Sequence, residues 1–355
     1  MTTFASSLDI TFSSERMDIL FVLLIVSGIA ALYCFVVGEI SGNTSQMDKL
    51  WSILPIAYTW IIAGMSEMNW RCVVIAIIAT LWGIRLTMNF ARKGAYSWKF
   101  WSGVEDYRWA ILRSKKPFNN RLVWGIFDLF FISIYQNLLV LLITLPSLMC
   151  VGSTAPLSWI DFVAGGIALL ALTIETIADE EQWKFQTTKY KMLKEGKKLE
   201  ELPLPYSKGF NTVGLWGRSR HPNYLGEQSI WVGVYIFSIS ALVGEYGITG
   251  IFNLSGIGAL LLILLFIGST ILAENISKGK YPEYSNYQKK VGEILKLFFD
   301  LSKKKPNSLI ELQESIEDTL NNKYFLAEAS RPSSKWLDVD IEDVKETILD
   351  FVNGL

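Results

Sequence analysis

The sequence predicts an all-α, polytopic membrane bundle of about seven transmembrane helices, followed by a short helical cytosolic tail. Three observations predict it. Half of the residues, 51%, are apolar. Several apolar runs approach or exceed the roughly 20 residues that cross a bilayer. The basic residues concentrate in two long loops, separated by two apolar runs, as a chain with alternating cytoplasmic loops requires.

The first run, 17–38, follows the flank "SSERMD", which lacks the positive charge of a secretion signal, and it is too long for a signal's apolar core, so it is a retained helix. Runs at 51–65 and 72–91 follow, closed by the loop 92–121 with Arg92, Lys93, Lys99, Arg108, Arg113, Lys115, Lys116 and Arg121. Runs at 122–149 and 159–178 lead into a second basic loop, 179–222, and the last two runs are 223–243 and 251–273. Both basic loops are expected in the cytoplasm. The weakly charged connections 66–71, 150–158 and 244–250 then face the other side, with the N-terminus outside or lumenal and the C-terminus cytoplasmic. The endoplasmic reticulum and a bacterial inner membrane both fit this orientation.

Residues 1–299 are expected to form the membrane domain and 300–355 an acidic tail, which carries 7 basic and 12 acidic side chains. In the tail, Leu309, Leu312, Ile316 and Leu320 form one helical stripe and Ile341, Val344, Ile348 and Phe351 another, while Ser308 and Glu311 have capping-box spacing. Two short amphipathic helices of this kind can dock on the basic loops or bind a protein partner. A net charge of −1 gives no case for nucleic-acid binding. Cys34, Cys72 and Cys150 lie in or at the ends of apolar runs without paired spacing, and the chain has one histidine, so no metal set is expected.

Charged residues inside membrane helices are costly and need a partner or a task. Arg85, Asp128, Glu175 and Glu227 stand out. At 1.5 Å per residue, their distances from the helix ends put all four roughly 6 to 10 Å below the cytoplasmic rim. Taken singly, such residues fix packing, as Arg85 pairing with Asp128 would. Four at one depth predict a shared polar cavity open to the cytosol.

The stretch "GLWGRSRHPNYLGE", 214–227, lies at the mouth of the sixth run. Pro222 suits a first helical turn, where its missing N–H costs nothing. Free N–H groups and the positive dipole end of that helix, with Arg218, Arg220 and His221 alongside, make an environment suited to phosphate. Arg220, Asn223, Tyr224 and Glu227 follow i, i+3, i+4, i+7 and are expected on one face. A ligand with a phosphate end and a polar ring end fits that face; a plain helix cap with snorkelling arginines is the structural alternative. "ETIADEEQWKFQ", 175–186, adds Glu175 and Asp179 one turn apart, able to accept from ribose hydroxyls or a carboxamide. Tyr281, Tyr284 and Tyr287 recur every three residues, which suits either a binding wall or interfacial anchoring. No Walker loop, GxGxxG or GxSxG accompanies these elements, so a P-loop, a Rossmann scaffold and a serine-hydrolase elbow are excluded as motifs.

In order and spacing, "LWGIRLTMNFARKG" (81–94), "EDYRW" (105–109), "ETIADEEQWKF" (175–185), "GLWGRSRHPNYLGE" (214–227) and "YPEYSNYQKK" (281–290) resemble the DUF1295 membrane proteins, which are related to the C-terminal domain of steroid 5-alpha-reductases. The resemblance covers about residues 45–295. It implies a seven-helix reductase that uses NADPH to saturate a carbon–carbon double bond conjugated to a carbonyl. The residues it implies at the nicotinamide and ribose are Asn223, Glu227 and Asp179, with Arg85 from the third-helix motif. Where the steroid enzymes carry a carbonyl-polarising Gln-Glu pair before Leu-Pro, this chain has Ser52 and Ile53 in "WSILPI". Their substrate-facing tyrosine falls on Trp82, and "STILAENISKGK" lacks their last-helix histidine and arginine. A steroid substrate is therefore not implied. Asp48 and Tyr58 are the candidates for the proton donor.

The expected ligands are thus NADPH, an apolar small molecule drawn from the bilayer, and membrane lipids. Two other classes stay open. A SAM-dependent membrane methyltransferase shares "RHPxY", but such enzymes usually carry a double glutamate where this chain has Glu274 and Asn275. A non-catalytic lipid-binding protein would account for the missing carbonyl-polarising pair.

Overall fold

The computed structural model describes residues 13–292. Those residues are helical, without a strand among them. Six helices are long and apolar enough to cross a bilayer, which makes the chain an integral membrane protein. In order they are α1 (Ser14–Ser41), α4 (Trp70–Ala91), α6 (Arg121–Met149), α7 (Trp159–Lys194), α8 (Pro222–Tyr246) and α9 (Ile257–Lys280). Between them lie α2 (Gln46–Leu50), α3 (Leu54–Met65) and α5 (Tyr107–Arg113), and α10 (Tyr284–Lys290) closes the described chain. The expected boundary at 299 and the two tail helices fall outside the described residues.

The second of the seven expected crossings differs from the rest. α3 has 12 residues, which at 1.5 Å each extend about 18 Å, short of a hydrocarbon core of roughly 30 Å. Pro55 sits in its first turn and bars a regular helix from running in from α2. α2 and α3 in series nevertheless pass from one end of the bundle to the other. Ser52 bonds Thr87 at 2.7 Å and the Trp60 indole donates to Thr80 at 2.9 Å, so α3 runs antiparallel to α4.

The chain divides into two compact units: residues up to 183 with 221–279, and residues 184–220 with those from 280 on. In the first unit the two ends are distinct. At one end Asn43 donates to the Gly103 carbonyl, Lys49 donates to the Phe100 and Ser102 carbonyls at 2.8 Å each, and Tyr96 donates to the Lys49 carbonyl. At the other end Arg16 holds the Met149 and Val151 carbonyls, Asn69 holds that of Ser153, and Arg71 pairs with Asp161 at 2.9 Å while donating to the Ala155 and Pro156 carbonyls. The basic 92–121 loop belongs to the first of these ends. Phe21, Ile29, Leu32, Phe130, Leu170 and Ile271 are exposed on α1, α6, α7 and α9, an apolar exterior that suits lipid.

α6 is not one regular helix, because Asp128–Tyr135 winds as a π-helix between α-helical turns. α7 continues past the apolar run predicted to end at 178, since "ADEEQWKFQTTKYKMLK" keeps helical geometry after the membrane stretch. In the second unit Phe210, Tyr284 and Tyr287 form a small buried cluster, with the Tyr287 hydroxyl donating to the Trp216 carbonyl at 2.5 Å. Gly209 is left-handed there and lies flat against Tyr281, whose ring a Cβ would strike at 2.1 Å.

Candidate functional site

Three helices supply one polar cluster in the first unit. α7 and α8 touch closely at Gly226, where a Cβ would stand 2.6 Å from the Glu175 Cβ and 3.0 Å from the Ala171 carbonyl oxygen. That contact brings Glu175 and Asp179 of α7 beside Asn223 and Glu227 of α8, and α4 adds Arg85 and Asn89. The Arg85 guanidinium bridges Glu175 at 2.5 Å and Asp179. Asn89 donates to Asp179 at 2.8 Å and Asn223 donates to its other oxygen at 3.4 Å. Glu227 accepts from the Trp51 indole at 3.0 Å and lies within electrostatic reach of Arg85 and Asp179. Arg92 locks the rim by bonding Asn89, the Asp179 carbonyl and Glu180 at 2.7 Å, with its guanidinium 4.6 Å over the Trp183 ring.

The cluster is not internally satisfied. Glu175 Oε2, Asn223 Oδ1 and Arg85 Nε are buried without a hydrogen-bond partner, and buried polar atoms left so are costly unless something outside the chain meets them.

A second group of charges adjoins it. The Trp109 indole donates to Asp48 at 2.8 Å, and Arg108 holds Asp106 with two bonds of 2.9 and 3.0 Å. Burial and the neighbouring Asp106 raise the Asp48 carboxyl above the usual range. Asp106 is lowered, because although burial alone would raise it, the Arg108 guanidinium prevails. Arg108 is raised in turn, since the Asp106 carboxylate outweighs the opposing effect of burial, and Tyr224 and Asp48 add to it. Burial also lowers the Lys93 ammonium, against Asp179 and Asp106, although its side chain is open to water. Lys93 lies within electrostatic reach of Asp179 and Asp106, and Arg108 within reach of Tyr224, so these charges neighbour the Arg85 cluster.

The other expected residues are placed differently. Helix α8 begins at Pro222 with His221 as its N-cap, so Arg220 precedes the helix and does not share the Asn223, Tyr224, Glu227 face. Arg220 is buried, with its guanidinium donating to the Gln288 and Val291 carbonyls at 3.2 and 2.7 Å. His221 is buried too, bonded to Glu274 at 3.0 Å and stacked on the Tyr224 ring at 5.0 Å. Arg218 is exposed. Tyr284 packs against Phe210 at 4.9 Å in the second unit's aromatic cluster. Asp128 does not join Arg85. Its Oδ1 accepts from Ser133 at 3.4 Å, and its Oδ2 lies 3.7 Å from where a Gly38 Cβ would be, so it belongs to the α1–α6 contact. Tyr58 is fully buried in the core, with Ser27 as polar neighbour. No group of three or more His, Cys, Asp or Glu side chains suited to a metal exists among the described residues.

Sequence reasoning missed Trp51, Asn89, Lys93, Asp106 and Arg108. Asn89 was within reach of it, one helical turn after Arg85 in the same motif. Lys93 lies in a turn, and Asp106 and Arg108 sit at the cap and first turn of α5, a helix of 7 residues too short for its periodicity to report a face.

The model for a family described as protein of unknown function, DUF1295, matches residues 34–291. An uncharacterised protein of Schizosaccharomyces pombe is 34% identical over 284 residues, covering 75% of this chain and 78% of the relative. No solved structure matches. The chain belongs to the DUF1295 family.

Proposed function

We propose that this DUF1295 membrane protein is a reductase that uses NADPH to saturate a carbon–carbon double bond conjugated to a carbonyl in an apolar, lipid-like substrate. One observation carries the proposal: Arg85, Glu175, Asp179, Asn223 and Glu227 converge from three helices and leave buried acceptors and a donor unmet. Such a set fits a carboxamide and ribose hydroxyls. NADPH, when bound, supplies a hydride.

Glu175, Asn223 and Glu227 orient the ring end through acceptor atoms, and Asp179 takes ribose hydroxyls. Arg85 keeps the three carboxylates together in one place, which like charges would otherwise resist. Lys93 and Arg108, beside Asp179 and Tyr224, supply positive charge for the cofactor's anionic groups. The Asp48 carboxyl, raised by burial, holds a proton more readily than an exposed aspartate, and the Tyr58 phenol holds one inside the core. Cofactor enters from the cytosol and substrate from the bilayer, so the two approach by separate routes.

A methyltransferase has one contact in its favour, because His221 of "RHPNY" bonds Glu274, at the place where those enzymes carry acidic residues. Calorimetry on detergent-purified full-length protein separates the two. NADPH is expected to bind, and Asn223→Ala and Glu227→Gln to weaken it without lowering the unfolding temperature. Binding of SAM with no heat from NADPH would overturn the reductase assignment.

A further inference from the structure

A second line of polar groups runs along the contact of α1 and α6, beginning at Asp128. Asp128 is 2% exposed, with the Glu39 carboxyl beside it and no nitrogen or hydroxyl donor meeting its Oδ2. Ser133, which bonds the other oxygen, passes the line to Asn137, whose Nδ2 donates to the Ser133 carbonyl at 2.7 Å and reaches the Cys34 sulfur at 3.6 Å. Asn137 is fully buried with Oδ1 unpartnered. Cys34 is within electrostatic reach of both Asp128 and Tyr58. Tyr58 is fully buried, with Ser27 as the polar neighbour of its hydroxyl.

At the basic end a cavity of about 360 Å³ opens between α1 and α6, lined among others by Gly38, Glu39, Thr44, Arg113 and Arg121. Gly38 places no side chain between that cavity and Asp128 Oδ2. The intervening turns of α6 are π-helical, a distortion that concentrates at functional sites. Buried acceptors left unmet at Asp128 and Asn137, in hydrocarbon surroundings and beginning at a polar cavity, are the setting in which ordered water is retained, because it meets groups the chain leaves unmet.

We infer that a file of bound water fills the α1–α6 contact, joins the cavity to the Tyr58 hydroxyl with Asp128 and Asn137 as its fixed posts, and returns protons to that hydroxyl. The use of those protons rests on the proposed reductase; the file does not. When the phenol gives its proton to the substrate carbon, the phenolate oxygen takes one from the adjacent water. The deficit passes from water to water, through the Asp128 carboxyl, to solvent in the cavity. Only protons move, and each oxygen ends as it began.

Hydroxyl-radical footprinting of the full-length protein, with radicals made in place from bound water and read by mass spectrometry, tests this. Cys150, buried at the opposite end of the bundle near Arg16 and Arg71, is the thiol control, and Phe237 is the buried aromatic control. Cys34 and Tyr58 are expected to oxidise several-fold faster than Cys150 and Phe237. Asp128→Leu, which removes a post, is expected to slow Cys34 and Tyr58 while Cys150 stays unchanged. Labelling of Cys34 and Tyr58 no faster than the controls overturns the file, and labelling unaffected by Asp128→Leu overturns the place of Asp128 in it. Should that variant fail to fold, the wild-type comparison decides alone. Fast labelling in a protein that binds no NADPH supports the file and removes the reductase as its user.

Discussion

Replacing Arg85 with methionine takes the only bridging cation from between Glu175 and Asp179. The three side chains are 12%, 3% and 12% exposed, so solvent screens them little. Breaking a buried pair by deleting one partner costs about 3 to 5 kcal/mol, because an uncompensated charge stays behind. Asp179 keeps its bonds from Asn89 and Asn223, which puts the expected loss for Arg85→Met near the lower figure, with Glu175 the stranded group. Adding Glu175→Gln to Arg85→Met removes that stranded charge. The double variant should therefore recover part of the loss, with a coupling of about 0.5 to 3 kcal/mol. Unfolding in detergent, followed by circular dichroism, measures the wild type, Arg85→Met, Glu175→Gln and the double variant. A loss under about 1 kcal/mol for Arg85→Met, the size typical of exposed pairs, would refute the bridged arrangement at the centre of the site.

Arg71→Met, at the opposite end, breaks a more deeply buried pair with Asp161, and should destabilise by about 3 to 5 kcal/mol while leaving nucleotide affinity in the folded fraction unchanged; a selective loss of affinity would mean the two ends are coupled. Asp48 binds its proton more tightly folded than unfolded, so its ionisation opposes folding as pH rises above the ordinary aspartate range. Asp48→Asn should accordingly match the wild type in strong acid and gain stability relative to it towards neutrality, and a stability difference independent of pH would contradict the raised carboxyl. Deleting residues 307–355 should leave nucleotide affinity intact, since every proposed contact precedes residue 228; a folded but non-binding truncation would place part of the site in the tail.

The long helices were legible because lipid demands a continuous apolar run, and α1, α4, α8 and α9 follow theirs closely. α3 was legible as an apolar helix but not as one too short to be counted among the crossings, although Pro55 signals the break. The depth of Arg85, Glu175 and Glu227 could be counted from helix ends, and these residues do meet. Depth fixes height and leaves azimuth open, which is why Asp128, counted at the same level, faces α1. The π-helical turns that start at Asp128 alter the angle between successive side chains, and no residue pattern announces them. Arg220 shows a different limit. A helical face was extended back across the cap, yet Pro222 at the first helical position already put residue 220 outside the helix.

The central claim is hydride transfer into a conjugated alkene, and isotope transfer measures it most directly. Full-length protein in lipid nanodiscs would be given NADPH deuterated at the transferable position, together with lipids extracted from its own membranes, and the lipids analysed by mass spectrometry. Deuterium is expected in a saturated carbonyl lipid, with incorporation lost in Asn223→Ala and Glu227→Gln. No deuterium in any lipid, or transfer of a labelled methyl group from SAM instead, would contradict the account.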